Sequence, residues 1–460
     1  MAAAVRSRQV SAAGLAKAAL ARARTLAGCN CFCTLLDDDA AAAAGRIDRA
    51  LANGERLDQP LLGVPFAAKD MTPTAGVPTT LGSWTSGDDP AAETALVVRR
   101  LQQAGAILIG KTTTPEFANS GFTSSPRWGV TRNPHDLRRS PGGSSGGSGA
   151  AVAGGCVPFA EGTDMGGSVR IPASFCGVVG LKPSLGRIPM TILPSLFDDI
   201  SHFGPLARGV DDAVAFMAAA AGPSDEDPFS WPLAFDAAAA RRRPELAGRH
   251  FAFSMDLGFY AVDDAVQAVI LEAVKRLRDA GAVVEIVDLA WTRDVVDRWA
   301  DLWGVFMAAY FGDRRAQFAA RMDPAVLALM DRGDALGATE YKRIELLRSA
   351  MWRDMMRVLD GREALLCPTC AVPAPPVEET DNDYMSTLPD GRFRGLDLTA
   401  PFNMIPTLPA LSLPVGATAD GLPVGLQMVG HRYGDEALLG LAGSVEALLA
   451  SVQNVLYDLS

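Results

Sequence analysis

The sequence predicts an α/β fold, in which helices and strands alternate along the chain and pack in layers. Two stretches that share one sequence pattern support this prediction. Residues 93–109 and 263–287 each begin with a helical pattern and end with an apolar run, and Gly105 and Gly281 separate the two parts. In both, the glycine stands where a helix commonly ends in the left-handed conformation. With 460 residues, of which 48% are hydrophobic, the chain is long enough to bury a large core.

The remaining elements follow from periodicity and capping residues. In the second stretch five apolar residues fall on one helical face: Val266, Val269, Ile270, Val274 and Leu277. The other predicted elements, in chain order, are an Ala-rich helix capped by Ser11 that runs to residue 27, a strand over 29–35, a helix over 38–53 and a short apolar run over 62–66 that leads into Lys69.

Three segments have the composition of loops. Residues 126–149 are rich in Gly, Ser and Pro, but apolar segments resume at once on both sides, which favours a functional loop. The residues alone leave a flexible linker open there. Residues 222–247 indicate a surface loop, and the many prolines over 371–414 indicate extended chain and loops near the site.

The charge and the cysteines limit the classes of partner. The formal net charge is −11, whereas nucleic-acid binders usually carry a basic surface, so we expect no DNA or RNA partner. Residues 1–9 lack the apolar core of a secretion signal, and no run approaches 18 apolar residues, so we expect no membrane span. Seven cysteines, an odd number in a long chain, favour a reduced cytoplasmic protein.

Four motifs match known functional patterns in their residues but lack the neighbouring helices, strands or loops that those patterns require. Residues 105–112 match a phosphate loop, but the four variable positions read as a strand instead of a loop. Residues 143–147 match a nucleophile elbow without the strand that should precede it. The alternating cysteines of 29–33 favour one buried strand face over a metal site, and the cysteine pair of 367–370 lacks the flanking pattern of a redox motif.

Residues with useful chemistry concentrate in the segments 63–70, 141–153 and 162–173. Ser168 follows two glycines, whose backbone N–H groups are suited to binding an oxyanion. A serine nucleophile needs a base, and Lys69 directly follows an apolar run, where burial would lower its pKa. From the residues alone, a hydrolase with a serine nucleophile and a lysine base is the interpretation these segments favour.

The same segments resemble the amidase-signature family. Its pattern is a Lys-Asp pair, then GGSSGG, then GTDxGGSxRxPA, and all three appear here in that order. The resemblance extends over most of the chain, including GVVGLKPSLG at 177–186 and PFNMIPTLPALSLPVG at 401–416. It implies one domain over 1–460, with a central mixed β-sheet covered by helices on both faces. Residues 1–60 would form a helical segment packed on that domain, and residues 61–210 its signature core.

The resemblance also implies roles for individual residues. Lys69 would be the base, Ser144, after a cis peptide bond, the proton relay, and Ser168 the nucleophile. The backbone N–H groups of Met165, Gly166, Gly167 and Ser168 would form the oxyanion hole. Ser145, Asp164 and Arg170 would hold these groups in place. Met165 departs from the threonine common at its position, which we expect to alter the shape of the pocket.

The function implied is hydrolysis of an amide C–N bond through an acyl-enzyme on Ser168, without a metal or cofactor. Four segments are expected to form the pocket as variable loops: 71–84, 117–128, 191–203 and 303–311. Their aromatic residues favour a small or medium apolar or aromatic amide: Trp84, Phe122, Trp128, Trp303, Phe306 and Tyr310. The expected partner is therefore a small-molecule amide, and a homodimer stays open.

Three other functions stay open at this point. One is a carbamoyl-type, allophanate-like hydrolase on the same machinery. Another is the glutamine-hydrolysing subunit of a tRNA-dependent amidotransferase, although residues 311–319 lack the arginine-containing GFGxEVKRR pattern of that subunit. The third is a non-catalytic binding protein, which the presence of all three candidate catalytic residues disfavours.

Overall fold

The computed structural model describes residues 1–453. The helices are α1 (Ala2–Arg6), α2 (Ala12–Thr25), α3 (Asp37–Ala52), α4 (Leu96–Gln103), α5 (Gly146–Ala153), α6 (Arg170–Cys176), α7 (Val210–Ala220), α8 (Ala237–Ala240), α9 (Asp264–Asp279), α10 (Asp294–Phe311), α11 (Arg315–Phe318), α12 (Pro324–Ala335), α13 (Ala338–Leu359) and α14 (Asp435–Gln453). The strands are β1 (Phe32–Leu35), β2 (Pro65–Lys69), β3 (Ile107–Thr112), β4 (Ser124–Ser125), β5 (Gly129–Val130), β6 (Phe159–Asp164), β7 (Val179–Lys182), β8 (His202–Ala207), β9 (His250–Phe253), β10 (Val283–Ile286), β11 (Leu365–Pro368), β12 (Ser386–Thr387), β13 (Phe393–Arg394), β14 (Ala410–Ala417) and β15 (Pro423–Val429).

Eleven strands form one mixed sheet in the order β1-β3-β2-β6-β8-β7-β14-β15-β11-β9-β10. Strands β3, β2 and β6 run parallel to one another, as do β11, β9 and β10, while the strands between these two groups pair antiparallel. The short pairs β4–β5 and β12–β13 lie outside it. The expected single domain with a mixed sheet between helices is confirmed.

The two faces of the sheet pack against different sets of helices. In β2, Phe66 and Ala68 belong to the larger core, which includes residues of α7, α9 and α14. Ala67 points the other way and belongs to a second core, which includes residues of α2, α3 and α5. This is the alternation that a strand imposes on successive side chains. Because both faces are buried, β2 consists of apolar residues up to Lys69, where the strand ends.

The helix–glycine–strand units formed as the sequence predicts. Helix α4 leads through Gly105 into β3, and helix α9 leads through Gly281 into β10. Both glycines are left-handed, with φ of +93° and +87°. The predicted cap of α2 is also present, because the Ser11 hydroxyl accepts a hydrogen bond from the Gly14 N–H.

Three predicted segments differ from the structure. The strand predicted over 29–35 begins only at Phe32, because residues 27–29 form a 3₁₀ turn and Asn30 is left-handed with φ of +50°. The pocket loop expected at 303–311 is the second half of the long helix α10. Within 371–414, residues 410–414 form the beginning of β14, which is a central strand of the sheet and not a loop.

Candidate active site

The candidate site lies where two neighbouring parallel strands end. Lys69 is the last residue of β2, and Thr163 and Asp164 are the last two residues of β6. Strands β2 and β6 are hydrogen-bonded and parallel, so their carboxyl ends meet at one edge of the sheet. That edge is where α/β proteins commonly bind ligands, because the chain leaves each strand there in a loop.

Lys69 is completely buried and contacts the candidate relay serine. Its Nζ lies 2.6 Å from Ser144 Oγ and 2.8 Å from Thr163 Oγ1. Burial lowers the pKa of Lys69 to about 7, although the charges of Glu161 and Asp164 act in the opposite direction. A large fraction of this amine is therefore uncharged near neutral pH, and an uncharged amine can accept a proton from a hydroxyl.

Glu161 is a site residue that the sequence analysis did not identify. One of its carboxylate oxygens accepts the backbone N–H of Lys69 at 2.9 Å, and the other accepts the Thr72 hydroxyl at 3.0 Å. Burial raises the pKa of Glu161. The signal was available in the sequence, since an acidic residue inside a buried strand is costly unless it has a specific task.

The second part of the Gly/Ser-rich segment 126–149 is buried in the domain, and the linker alternative is therefore wrong. Residues 140–150 are all buried, and the expected cis peptide bond is present between Gly143 and Ser144. The glycines of this segment permit close packing. A Cβ at Gly146 would overlap the Thr123 side chain, and one at Gly147 would overlap Thr113. The 140–145 part is called the Ser144 loop below.

Ser145 joins the Ser144 loop to the segment that carries Ser168. The Ser145 N–H donates to the Ser168 carbonyl oxygen at 3.1 Å, and its hydroxyl donates to the Thr163 carbonyl oxygen at 3.3 Å. Residues 165–169 are called the Ser168 loop. Ser168 itself is partly exposed, whereas Ser144 is fully buried. Lys69 thus contacts Ser144, and the Ser144 loop is hydrogen-bonded to the Ser168 loop through Ser145, with the partly exposed Ser168 on the accessible side.

Asp164 and Arg170 form a buried ion pair beneath the Ser168 loop. The Arg170 guanidinium donates to both carboxylate oxygens of Asp164, at 2.9 and 3.0 Å. The same carboxylate accepts the backbone N–H groups of Gly167 at 2.8 Å and Val169 at 3.1 Å. Burial alone would raise the pKa of Asp164, but the charge and the hydrogen bonds of Arg170 hold it well below its usual value.

Arg170 is held in turn by residues from the C-terminal third of the chain. It donates to the Thr399 carbonyl oxygen at 3.0 Å, to Gln427 Oε1 at 2.7 Å and to Asn403 Oδ1 at 2.6 Å. These three partners of Arg170 were not predicted from the sequence. Asn403 does lie in the segment 401–416 that carries the family resemblance, which was the available signal.

The four N–H groups expected to form the oxyanion hole are not equivalent. The Gly167 N–H is engaged with Asp164, and Gly167 has φ of +125°, a conformation that favours glycine. Within residues 1–453, the N–H groups of Met165, Gly166 and Ser168 have no hydrogen-bond acceptor. These three remain candidates for binding an oxyanion, whereas Gly167 fixes the loop to the ion pair below.

An apolar cluster borders the Ser168 loop. Met165 packs among partly buried side chains, with Leu193 and Trp299, against a cluster centred on α10 and α12. Of the aromatic residues expected in the pocket, three belong to this cluster: Trp303, Phe306 and Tyr310. Phe122 packs in a separate cluster with Tyr384, and the Trp84 indole donates to the Pro126 carbonyl oxygen near the surface.

The motifs rejected from the sequence have ordinary structural positions. Residues 107–112 of the phosphate-loop match form β3. Cys29, Cys31, Cys367 and Cys370 are buried free thiols, and Cys33 is half-buried. In the part of the chain that the structure describes, no three His, Cys, Asp or Glu side chains gather as metal ligands would. None of the helices described there combines the length and the apolar character needed to cross a bilayer.

Known proteins resemble this chain over most of its length. The profile of the Amidase family matches residues 15–439. An acylamidase from Rhodococcus erythropolis is 36% identical, over 88% of this chain and 85% of that protein. A glutamyl-tRNA(Gln) amidotransferase subunit from Symbiobacterium thermophilum is 32% identical, over 94% of this chain and 93% of that protein. The crystal structure of a bacterial aryl acylamidase of the amidase-signature family superimposes with a TM-score of 0.90 at 27% identity, covering 99% of this chain and 97% of that one.

Proposed function

The chain belongs to the amidase family and is an amide-hydrolysing enzyme, and we propose that it cleaves small or medium apolar or aromatic amides through an acyl-enzyme on Ser168. One observation carries the proposal: the buried Lys69 amine lies 2.6 Å from Ser144 Oγ, beside the loop that presents Ser168. An uncharged lysine in hydrogen-bond contact with a serine is the arrangement that a proton relay requires.

The reaction has two steps. Lys69 accepts a proton from Ser144, which accepts one from Ser168, and Ser168 Oγ attacks the amide carbonyl carbon. The N–H groups of Met165, Gly166 and Ser168 bind the oxyanion that develops. Ser144 then protonates the leaving nitrogen, which departs as ammonia or an amine, and water hydrolyses the acyl-enzyme to release the carboxylate.

The apolar surroundings of Met165 support the substrate class. Met165 packs against the same apolar cluster as Leu193, Trp299 and the aromatic side chains of α10, and such a cluster suits an apolar or aromatic acyl group. The names of two relatives, an acylamidase and an aryl acylamidase, point in the same direction. The Rhodococcus acylamidase has a higher identity to this chain than the amidotransferase protein from Symbiobacterium has.

The arginines that could suggest the amidotransferase role have other partners. Arg314 donates to the hydroxyls of Thr85 and Ser86, and its guanidinium lies over the Phe117 and Phe311 rings. Arg315 pairs with the carboxylates of α12. These contacts support a stand-alone amidase over a subunit that must bind the carboxylate of glutamine.

The test is a substrate panel applied to the wild type, Ser168→Ala and the control Ser349→Ala, with release of ammonia or amine measured. The panel contains acetamide, benzamide, anilides, fatty amides, allophanate and glutamine. Ser349 is an exposed serine on α13 whose hydroxyl donates to the Glu345 carbonyl oxygen, so its loss should leave activity unchanged. We expect Ser168→Ala to lower kcat by about 10⁴-fold or more.

Benzamide or an anilide should have a higher kcat/KM than glutamine or allophanate. Preferential hydrolysis of glutamine would instead support the amidotransferase role, and preferential hydrolysis of allophanate a carbamoyl hydrolase. Turnover that survives in Ser168→Ala would reject the assignment of the nucleophile.

A further inference from the structure

Trp299 contacts the Ser168 loop from outside the three segments that form the candidate site. It lies on α10, 134 residues from its partner, and its indole N–H donates to the Met165 carbonyl oxygen at 2.9 Å. The ring also covers Gly166, because a Cβ built there would overlap the Trp299 six-membered ring. Trp299 therefore fixes the peptide bond between Met165 and Gly166 by a hydrogen bond and by packing.

That peptide bond carries one of the N–H groups available to an oxyanion. A trans peptide is planar, and its N–H points opposite to its carbonyl, so an anchor on one fixes the direction of the other. The Met165 carbonyl is held by Trp299, and the Gly166 N–H has no acceptor within residues 1–453. We infer that Trp299 is a positioning residue that directs the Gly166 N–H towards the oxyanion, an inference that rests on the proposed function.

The next peptide bond provides a contrast within the same loop. The Gly166 carbonyl accepts the Thr399 hydroxyl at 2.6 Å, but the Gly167 N–H on that peptide donates to Asp164. The carbonyl and the N–H of the Gly166–Gly167 peptide thus both have hydrogen-bond partners inside the protein. The Met165–Gly166 peptide is anchored at its carbonyl only, which leaves its N–H both oriented and available.

To test this inference, the Trp299 indole is replaced by two rings, one without and one with an N–H hydrogen-bond donor. Trp299→Phe keeps an aromatic ring and removes the N–H. Trp299→His places an imidazole where the five-membered ring of the indole lies, with Nε2 at the position of the indole nitrogen. Assays at about pH 8 keep that imidazole uncharged. Trp291→Phe is the matched control, since the Trp291 indole donates to Asp354 and not to the Ser168 loop.

Two readouts separate positioning from simple packing. The first is the split between kcat and KM on the best amide of the panel. The second compares the trifluoromethyl ketone of that substrate, which forms an oxyanion on the serine, with the corresponding secondary alcohol, which only occupies the pocket. Loss of an oxyanion donor should weaken the binding of the ketone and leave the binding of the alcohol unchanged.

We expect Trp299→Phe to lower kcat by about 10–100-fold, less than outright removal of a donor, with KM within about threefold. Ketone affinity should fall in parallel, and Trp299→His should recover most of the lost kcat. A kcat of Trp299→Phe within about twofold of wild type, equal loss for ketone and alcohol, or a folded Trp299→His as slow as Trp299→Phe would each overturn the inference.

If Trp299→Phe does not fold, Trp299→His decides alone: near-wild-type kcat supports the inference, and a large loss in a folded protein overturns it. Failure of the proposed function is seen separately, because it appears as an inactive wild type or an active Ser168→Ala before any Trp299 variant is measured.

Discussion

Among individual residues, burial alone does not distinguish Lys69 from other lysines. Lys69, Lys111 and Lys182 are all completely buried, which is half of the six lysines in the chain. Lys111 Nζ donates to the Thr72 carbonyl, and Lys182 Nζ to the Leu408 carbonyl, so these two support the backbone. Lys111 Nζ also donates to the Thr79 hydroxyl at 3.2 Å. Lys69 donates to the hydroxyls of Ser144 and Thr163, and its contact with Ser144, beside the Ser168 loop, is what makes it a candidate base.

The lowered pKa of Lys69 predicts how activity depends on pH. The uncharged base predominates only above its pKa of about 7, so kcat/KM should rise about tenfold per pH unit below that value and level off above it. Burial also lowers the pKa of Lys182 to about 7, so Lys182→Met is the control and should retain the same acid limb. A profile of kcat/KM that is flat from about pH 5 to 8 would contradict a lysine base.

The buried ion pair predicts a large loss of stability when one partner is neutralised. Asp164→Asn leaves the Arg170 charge buried without its counter-charge, so the free energy of unfolding should fall by about 3–5 kcal/mol. Asp279→Asn, which removes the exposed partner of Lys275, should change the free energy of unfolding far less, because solvent screens that pair. Urea unfolding of both variants measures the difference, and equal losses would contradict the role given to burial.

Elements whose signals are local were predictable, and those that depend on distant pairing were not. The units α4–β3 and α9–β10 were visible because helical periodicity and a left-handed glycine occur within about 20 residues of each other. Strand β14 was hidden by its proline, since Pro414 argues against a central strand. The structure accommodates Pro414 where the pairing of β14 with β15 shifts register, which no local pattern indicates.

Close packing between strands gives a prediction for Gly204. A Cβ at Gly204 on β8 would overlap the Leu181 carbonyl oxygen of the neighbouring β7. Gly204→Ala should therefore lower the free energy of unfolding by about 1–3 kcal/mol. Gly312 is the control, because it has helical φ and ψ with open space around its Cα, so Gly312→Ala should be neutral or slightly stabilising. Thermal unfolding of the two variants would contradict this if their midpoints agree.

For the whole molecule, the family resemblance supplied what local patterns lack. It implied the mixed sheet and placed Lys69, Ser144 and Ser168 in one site, although Lys69 lies 75 residues from Ser144 in the chain. The order of the eleven strands and the contact from Trp299 depend on packing between residues that are far apart in the chain, 134 residues in the case of Trp299 and Met165. Neither composition nor periodicity encodes such contacts in readable form.

The distribution of cysteines predicts how the folded protein reacts with thiol reagents. Six of the seven cysteines are buried and Cys33 is half-buried, and all are free thiols. Burial raises the pKa of Cys33 as well, which disfavours the reactive thiolate. We expect almost no reaction with Ellman's reagent in the native state and seven thiols per chain in about 8 M urea. Rapid native reaction of several thiols would contradict the packing described here.

The contacts of Arg170 also affect when the enzyme can become active during synthesis. Its partner Gln427 lies 257 residues further along the chain. A ribosome that has translated Lys69, Ser144 and Ser168 has yet to make the side chains that hold the Asp164–Arg170 pair in place. The nascent chain should therefore acquire its hydrolytic activity late, after the last strands of the sheet have emerged.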